Sequence, residues 1–88
     1  MPKRIIEQPT VRDLDEWEGE VDGYTFVYQI KQTSGGGKPT WYPIRCWRKG
    51  HPLLNMGGAF DDLPSREQVE AHFAPSVRNY IKIHIEKS

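Results

Sequence analysis

Polar and apolar positions alternate most regularly on either side of Asp22-Gly23. That dipeptide is favoured in two-residue hairpin turns because both positions tolerate positive φ. Folding the flanks together about it sets Val21 opposite Tyr24, Gly19 opposite Phe26 and Trp17 opposite Tyr28. Glu20, Glu18 and Glu16 then fall opposite Thr25, Val27 and Gln29. One face is apolar and the other mostly polar on both strands at once, an outcome that a one-residue slip would destroy.

A second strand pair is expected across the triple glycine. With Gly35 to Gly37 as the loop, Tyr42 opposes Ile30, Ile44 opposes Tyr28 and Cys46 opposes Phe26, all on the same apolar face. Trp41, Arg45 and Trp47 emerge on the other face beside Lys31, Val27 and Thr25, and Glu18, Val27 and Arg45 share one row. Pro43 cannot donate to a ladder, which points to an edge or a bulge.

Leu53 to Phe60 is apolar but interrupted by Gly57-Gly58, the pattern of a bent or bulged strand. Ser65 with Gln68 forms a capping box ahead of a short helix whose apolar side is Leu63, Val69 and Phe73. Pro75 is expected to stop that helix near Ala74. Asn79 to Glu86 alternates, with Ile81, Ile83 and Ile85 inward and Tyr80, Lys82 and His84 outward, which predicts a last strand. Thr10 to Trp17 reads either as a capped helical turn carrying Val11 and Leu14 or as a lead-in to the first strand. The sum is an α+β fold: an antiparallel sheet of four to five strands with one short helix packed on one face, in two layers. A helix of about ten residues covers only part of such a sheet, leaving the rest to the N-terminal segment, a long loop or a second copy.

The 88 residues are read as a single small domain, 1–88, with residues 1–9 as a candidate flexible arm. Three Trp, four Tyr and three Phe carry more of the core than the aliphatics do. Cys46 is alone, so no internal disulfide supplements that core, and a reducing compartment is the natural reading. No apolar run approaches the roughly 20 residues that span a bilayer, and Met1-Pro-Lys-Arg-Ile-Ile opens no long apolar region. The expectation is a soluble, cytoplasmic protein with no membrane partner.

Charge changes this picture. Formal net charge is zero, yet Lys31 to Lys49 carries five positive charges and no acid, interleaved with Trp41, Tyr42 and Trp47. Glu7 to Asp22 carries seven acids against the single base Arg12. A basic, aromatic stripe is what a phosphate-bearing or acidic partner needs.

Catalytic chemistry finds little support. Cys46 is expected inward, as a small hydrophobe. His51, His72 and His84 fall on a loop, a helix and a strand with no spacing that forces them together. One Cys and three scattered His do not make a zinc site, and Asp61-Asp62 before a proline and a helix reads as a solvated turn. Gly35-Gly-Gly-Lys38 fails as a phosphate loop: Gln32 stands where the first glycine belongs and Pro39 where Ser or Thr belongs. No enzyme, metal or cofactor is expected.

Three strands followed by a helix, with an aromatic strand and Gly58-Ala59-Phe60 ahead of the helix, resembles the arm-site DNA-binding domains of tyrosine recombinases over Tyr24 to Phe73. The resemblance implies a DNA-binding role. The chain departs from it in the inserted Asp61-Asp-Leu-Pro64 and in its neutral charge.

The candidate surface is therefore Trp41, Arg45 and Trp47, with Lys31, Lys38 and Arg48 around them. It suits a protein partner or self-association, as in an adaptor, inhibitor or self-associating accessory factor forming a homodimer. The alternative is nucleic-acid binding by the basic hairpin Lys31 to Lys49, with Lys3 and Arg4 on the arm. Arg45 paired with Glu18, and tryptophans packed beneath the N-terminal segment, would leave the surface purely structural.

Overall fold

A computed structural model describes residues 8–86. Most of the arm expected over residues 1–9, with Lys3 and Arg4, lies outside them. Strands β1 (Thr10–Val21), β2 (Tyr24–Gly35), β3 (Lys38–Arg48) and β4 (Met56–Phe60) form one antiparallel sheet in the order β1-β2-β3-β4. Helix α1 (Arg66–Tyr80) packs on one face and continues into a π-helical turn, Ile81–Ile85. The architecture is the two-layer α+β fold expected, with four strands.

The first hairpin forms in the expected register, Val21 opposite Tyr24 through Glu16 opposite Gln29. Asp22 and Gly23 both adopt positive φ, 51° and 87°, as this tight turn requires. Thr10 to Trp17 is strand rather than a helical turn, with an irregularity between Asp13 and Asp15 that makes Leu14 the extra residue of a bulge.

The second hairpin is displaced by two residues from expectation. Tyr28 opposes Cys46, Ile30 opposes Ile44, Val27 opposes Trp47 and Gln29 opposes Arg45. Two causes contribute one residue each. The turn is Gly36-Gly37 alone, with Gly35 still paired to Lys38, and a second irregularity lies between Thr33 and Gly35. Because side chains alternate with period two, a two-residue shift keeps every face and changes every row. Pro43 sits not on an edge but in an interior strand, opposite Ala59 of β4. The expected strand Leu53 to Phe60 shortens to Met56–Phe60, and Leu53 stands almost wholly in solvent, 94% exposed.

Phe26, Tyr28, Ile30, Ile44 and Cys46 from the sheet meet Val69, Phe73, Val77, Tyr80 and Ile81 from the helical segment in one buried cluster. Each large side chain contributes roughly 1.5–3 kcal/mol by leaving water. Ser65 caps α1 as expected: its side chain accepts from the Gln68 backbone N–H, and the Gln68 side chain accepts from the Ser65 N–H. Leu63, expected on the apolar side, is exposed instead.

Pro75 does not end the helix, and Asn79 to Glu86 is not a strand. Val69, Phe73, Val77, Tyr80 and Ile81 recur at helical spacing, and all are buried. Packing on the sheet therefore outweighs the local preferences of Pro75 and of the alternating isoleucines. Pro75 is exposed, as is Ala71, whose carbonyl loses its helical donor there. Ile83 is exposed and His84 is helical, and the Glu86 N–H closes the last turn on the Ile81 carbonyl.

The helix is also pinned to edge strand β1. Arg66 donates two hydrogen bonds of 2.8 Å to the Asp15 carboxylate. Its guanidinium lies 5.0 Å from the Trp17 ring centroid, and Trp17 Nε1–H donates to Glu70 at 3.3 Å. Trp17 stacks on Tyr28 with centroids 5.5 Å apart and planes 17° from parallel.

A Cβ at Gly19 would lie 2.9 Å from Tyr28 Cε2 and 2.8 Å from Glu70 Oε1. Glu70 can swing away, but the stacked Tyr28 ring cannot. Gly19→Ala is expected to lower unfolding stability by about 1–3 kcal/mol, read by denaturant titration; an unchanged midpoint would show that the stack yields. Pro75→Ala is expected to raise stability by about 1–3 kcal/mol, since alanine restores a helical hydrogen bond. No gain would mean that the helix does not run through this position.

Candidate functional site on the open face of the sheet

Alternation sends Trp41, Pro43, Arg45 and Trp47 of β3 to the face away from the helix, together with Val27, Gln29, Lys31 and Thr33 of β2. Glu16, Glu18 and Glu20 of β1 flank them, and beyond the bulge Asp13 and Val11 face the same way. No element of residues 8–86 packs over this face as α1 does over the other. Within it, Val27 and Thr33 are nonetheless buried.

The rows of this face differ from those expected. Glu18, Val27 and Trp47 share one row, and Glu16, Gln29 and Arg45 the next. Trp41 lies opposite Thr33 rather than Lys31, and Thr33 lies opposite Val11. The expected Glu18–Arg45 pair is absent because Arg45 sits one row away. Lys49 takes its place, with Nζ 2.8 Å from the Glu18 carboxylate.

Of the six residues singled out, the structure gathers four on this face, leaves Lys38 at the turn that ends it and sends one elsewhere. Trp41 is 40% exposed, Arg45 is exposed and Trp47 is half-buried beside Val27. Lys31 Nζ lies 3.5 Å from Asp13, and Lys38 is exposed at the glycine turn. Arg48 stands opposite Phe26, on the helix side of the sheet, with its guanidinium 5.5 Å from the Tyr24 ring centroid. It leaves the open face because it is one residue past Trp47 on a strand of period two.

The charge segregation of the sequence is thus partly consumed within the fold. The acidic strand runs beside the basic hairpin, so Lys31 meets Asp13 and Lys49 meets Glu18. Glu16 accepts a hydrogen bond of 3.1 Å from Gln29. Exposed pairs of this kind contribute about 0–1 kcal/mol each, so their main effect is on the field presented to a partner. Among the described residues, Arg45 and Lys38 make no ion pair. Beside Lys38, Trp41, Thr33 and Pro9 line a hollow of about 340 Å³. The hairpin register read from the sequence already sets Glu16, Glu18 and Glu20 on this face beside β2; what that reading did not place there is Val11 and Asp13, which lie beyond the Leu14 bulge.

The remaining chemistry stays dispersed. Among the described residues no group of three or more His, Cys, Asp or Glu comes together. His72 packs edge-on against Phe60 and Phe73, and His84 lies tilted against Tyr80. The Asp15 carboxyl is held below its ordinary range by its hydrogen bonds from Arg66, as a structural clamp on the helix side. No helix in the described residues is long and apolar enough to cross a membrane.

None of the known protein families, curated proteins and solved structures compared with the chain matches it. The functional reading rests on the residues themselves.

Cys46 is fully buried opposite Tyr28, and burial pushes its thiol up to about 12. Tyr28 is likewise pushed up to about 12, first by burial and then by the charges of Cys46 and Glu70. Above the ordinary thiol value of about 9 the unfolded chain releases a proton that the folded chain keeps. Stability is therefore expected to be steady up to about pH 9 and to fall as pH climbs toward about 12. Thermal melts across that window test this, and Cys46→Ala is expected to flatten part of the slope. A slope unaltered by that substitution would assign the loss to other groups.

Proposed function

We propose that the chain is a small, non-enzymatic interaction module that binds a protein partner through the open face of its sheet, centred on Trp41, Arg45 and Trp47. The observation that carries this reading is a combination on one face that no element of residues 8–86 covers. An exposed tryptophan and an arginine without an ion-pair partner among the described residues lie there, while the lysines beside them are already met by Asp13 and Glu18. Tryptophan and arginine are the residues that most often dominate protein interfaces, and surrounding polar pairs that keep water out complete such a site. The dispersal of histidines, cysteine and carboxylates among the described residues supports a binding role over a catalytic one.

The competing reading, nucleic acid, is weakened by the same geometry. A phosphate backbone laid along Arg45 and Lys38 would run beside Glu16 and Asp13, and like charges at close quarters disfavour it.

Two measurements test this. Fluorescence anisotropy with a labelled single-stranded oligonucleotide in low salt is expected to show no binding. Binding that falls steeply with rising salt would transfer the face to nucleic acid. Capture of partners from an extract of the source cells is expected to lose its specific proteins when Trp41→Ala and Arg45→Ala are combined, each change weakening binding about tenfold or more. An identical set of captured proteins would show that the face is not the site.

A further inference from the structure

We propose that the partner of the open face is a second copy of this chain, packed sheet to sheet about a two-fold axis running along β2. The inference rests on the reading of that face as a protein-binding surface, and it names the occupant from the order of chemistry across the strands. An acidic lane lies on β1, a mostly uncharged lane on β2, and an aromatic and basic lane on β3. A two-fold axis along β2 carries β1 of each copy over β3 of the other and keeps each residue at its own level along the strands. The chemistry then matches row by row.

At the level of Thr33, Val11 of one copy comes over Trp41 of the other. These are two exposed apolar side chains of the face, 56% and 40% accessible. At the level of Gln29, exposed Glu16 comes over exposed Arg45. At the level of Val27, Glu18 with its bridging Lys49 comes over Trp47. Each match occurs twice because the interface is isologous. Facing sheets lie about 10 Å apart, a span that a glutamate and an arginine close together.

The other in-plane axis, across the strands, would lay the acids of β1 on the acids of the second β1 and is disfavoured by repulsion. The favoured axis brings one like-charge approach, Lys31 near Lys31 of the second copy, and each is already held by its own Asp13. The pattern of the face is thus complementary to itself in one orientation and antagonistic to itself in the other.

Sedimentation velocity over a wide concentration range, on the wild type, Arg45→Glu, Glu16→Lys and an equimolar mixture of the two variants, decides the matter. The wild type is expected to dimerise. Each variant alone is expected to dimerise more weakly by about a hundredfold, a factor of ten for each of the two symmetry-related pairs. In the mixture the lysine introduced in one variant meets the glutamate introduced in the other, and the retained Arg45 meets the retained Glu16. A heterodimer of near wild-type strength is therefore expected. That rescue cannot come from misfolded chains. A wild type monomeric throughout overturns the second-copy inference and leaves the protein-binding reading to its own test with Trp41→Ala and Arg45→Ala. A dimer indifferent to both single reversals, or no rescue on mixing, overturns the proposed geometry.

Discussion

Tyr28 is the side chain that most of this fold is arranged around. A phenol ring in the middle of a four-stranded sheet needs a flat neighbour on one side, a gap on another and a hydrophobic lid above. Trp17 supplies the first, stacked at 5.5 Å, and the missing side chain of Gly19 supplies the second. Phe73 of the helix supplies the third, its ring centroid 6.4 Å away, while Cys46 sits directly opposite on β3. Trp17 in turn carries Arg66 and Glu70, so the placement of one ring also sets where the helix meets the edge strand. The elements on both sides of the core are located by contact with it.

Much of this architecture is legible in the sequence, for reasons of unequal strength. Asp22-Gly23 admits one kind of turn, and the flanking alternation admits one register, so the first hairpin follows directly. Three consecutive glycines admit several turns; here two form the loop and one stays in the strand, which displaces the rows while sparing the faces. The C-terminal segment misleads most. Three isoleucines at every second position look like a strand, yet Ile81 and Ile85 are also four apart, and Val69, Phe73 and Val77 set the helical rhythm that continues through them. Only the surface on which they pack decides between the two periods, and that surface is made of residues tens of positions away.

The open face is legible as a set of residues but not as a pattern. Trp41, Arg45 and Trp47 share a side of β3 in any even register, so that part requires no knowledge of rows. Arg48 enters the set by proximity in sequence, although alternation sends it to Tyr24 on the other side. The segregated charge that invites a nucleic-acid reading has a more local meaning once the strands are laid side by side. Acids cluster in one stretch and bases in another because those stretches become neighbours. The acids and the Leu14 bulge also discourage strand-to-strand aggregation along the long β1 edge.

The glycine turn that joins β2 to β3 has an evolutionary corollary. Its residues lie past the N-terminal end of α1, so no helix of residues 8–86 lies over it, and the facing of the strand residues beside it follows from parity. Residues can be added or removed there in pairs with tryptophan kept outside and isoleucine inside, whereas a change by one has to be taken up in the turn or by a bulge such as the one between Thr33 and Gly35. The tip is a place where this protein can lengthen its reach by increments without rewriting its interior.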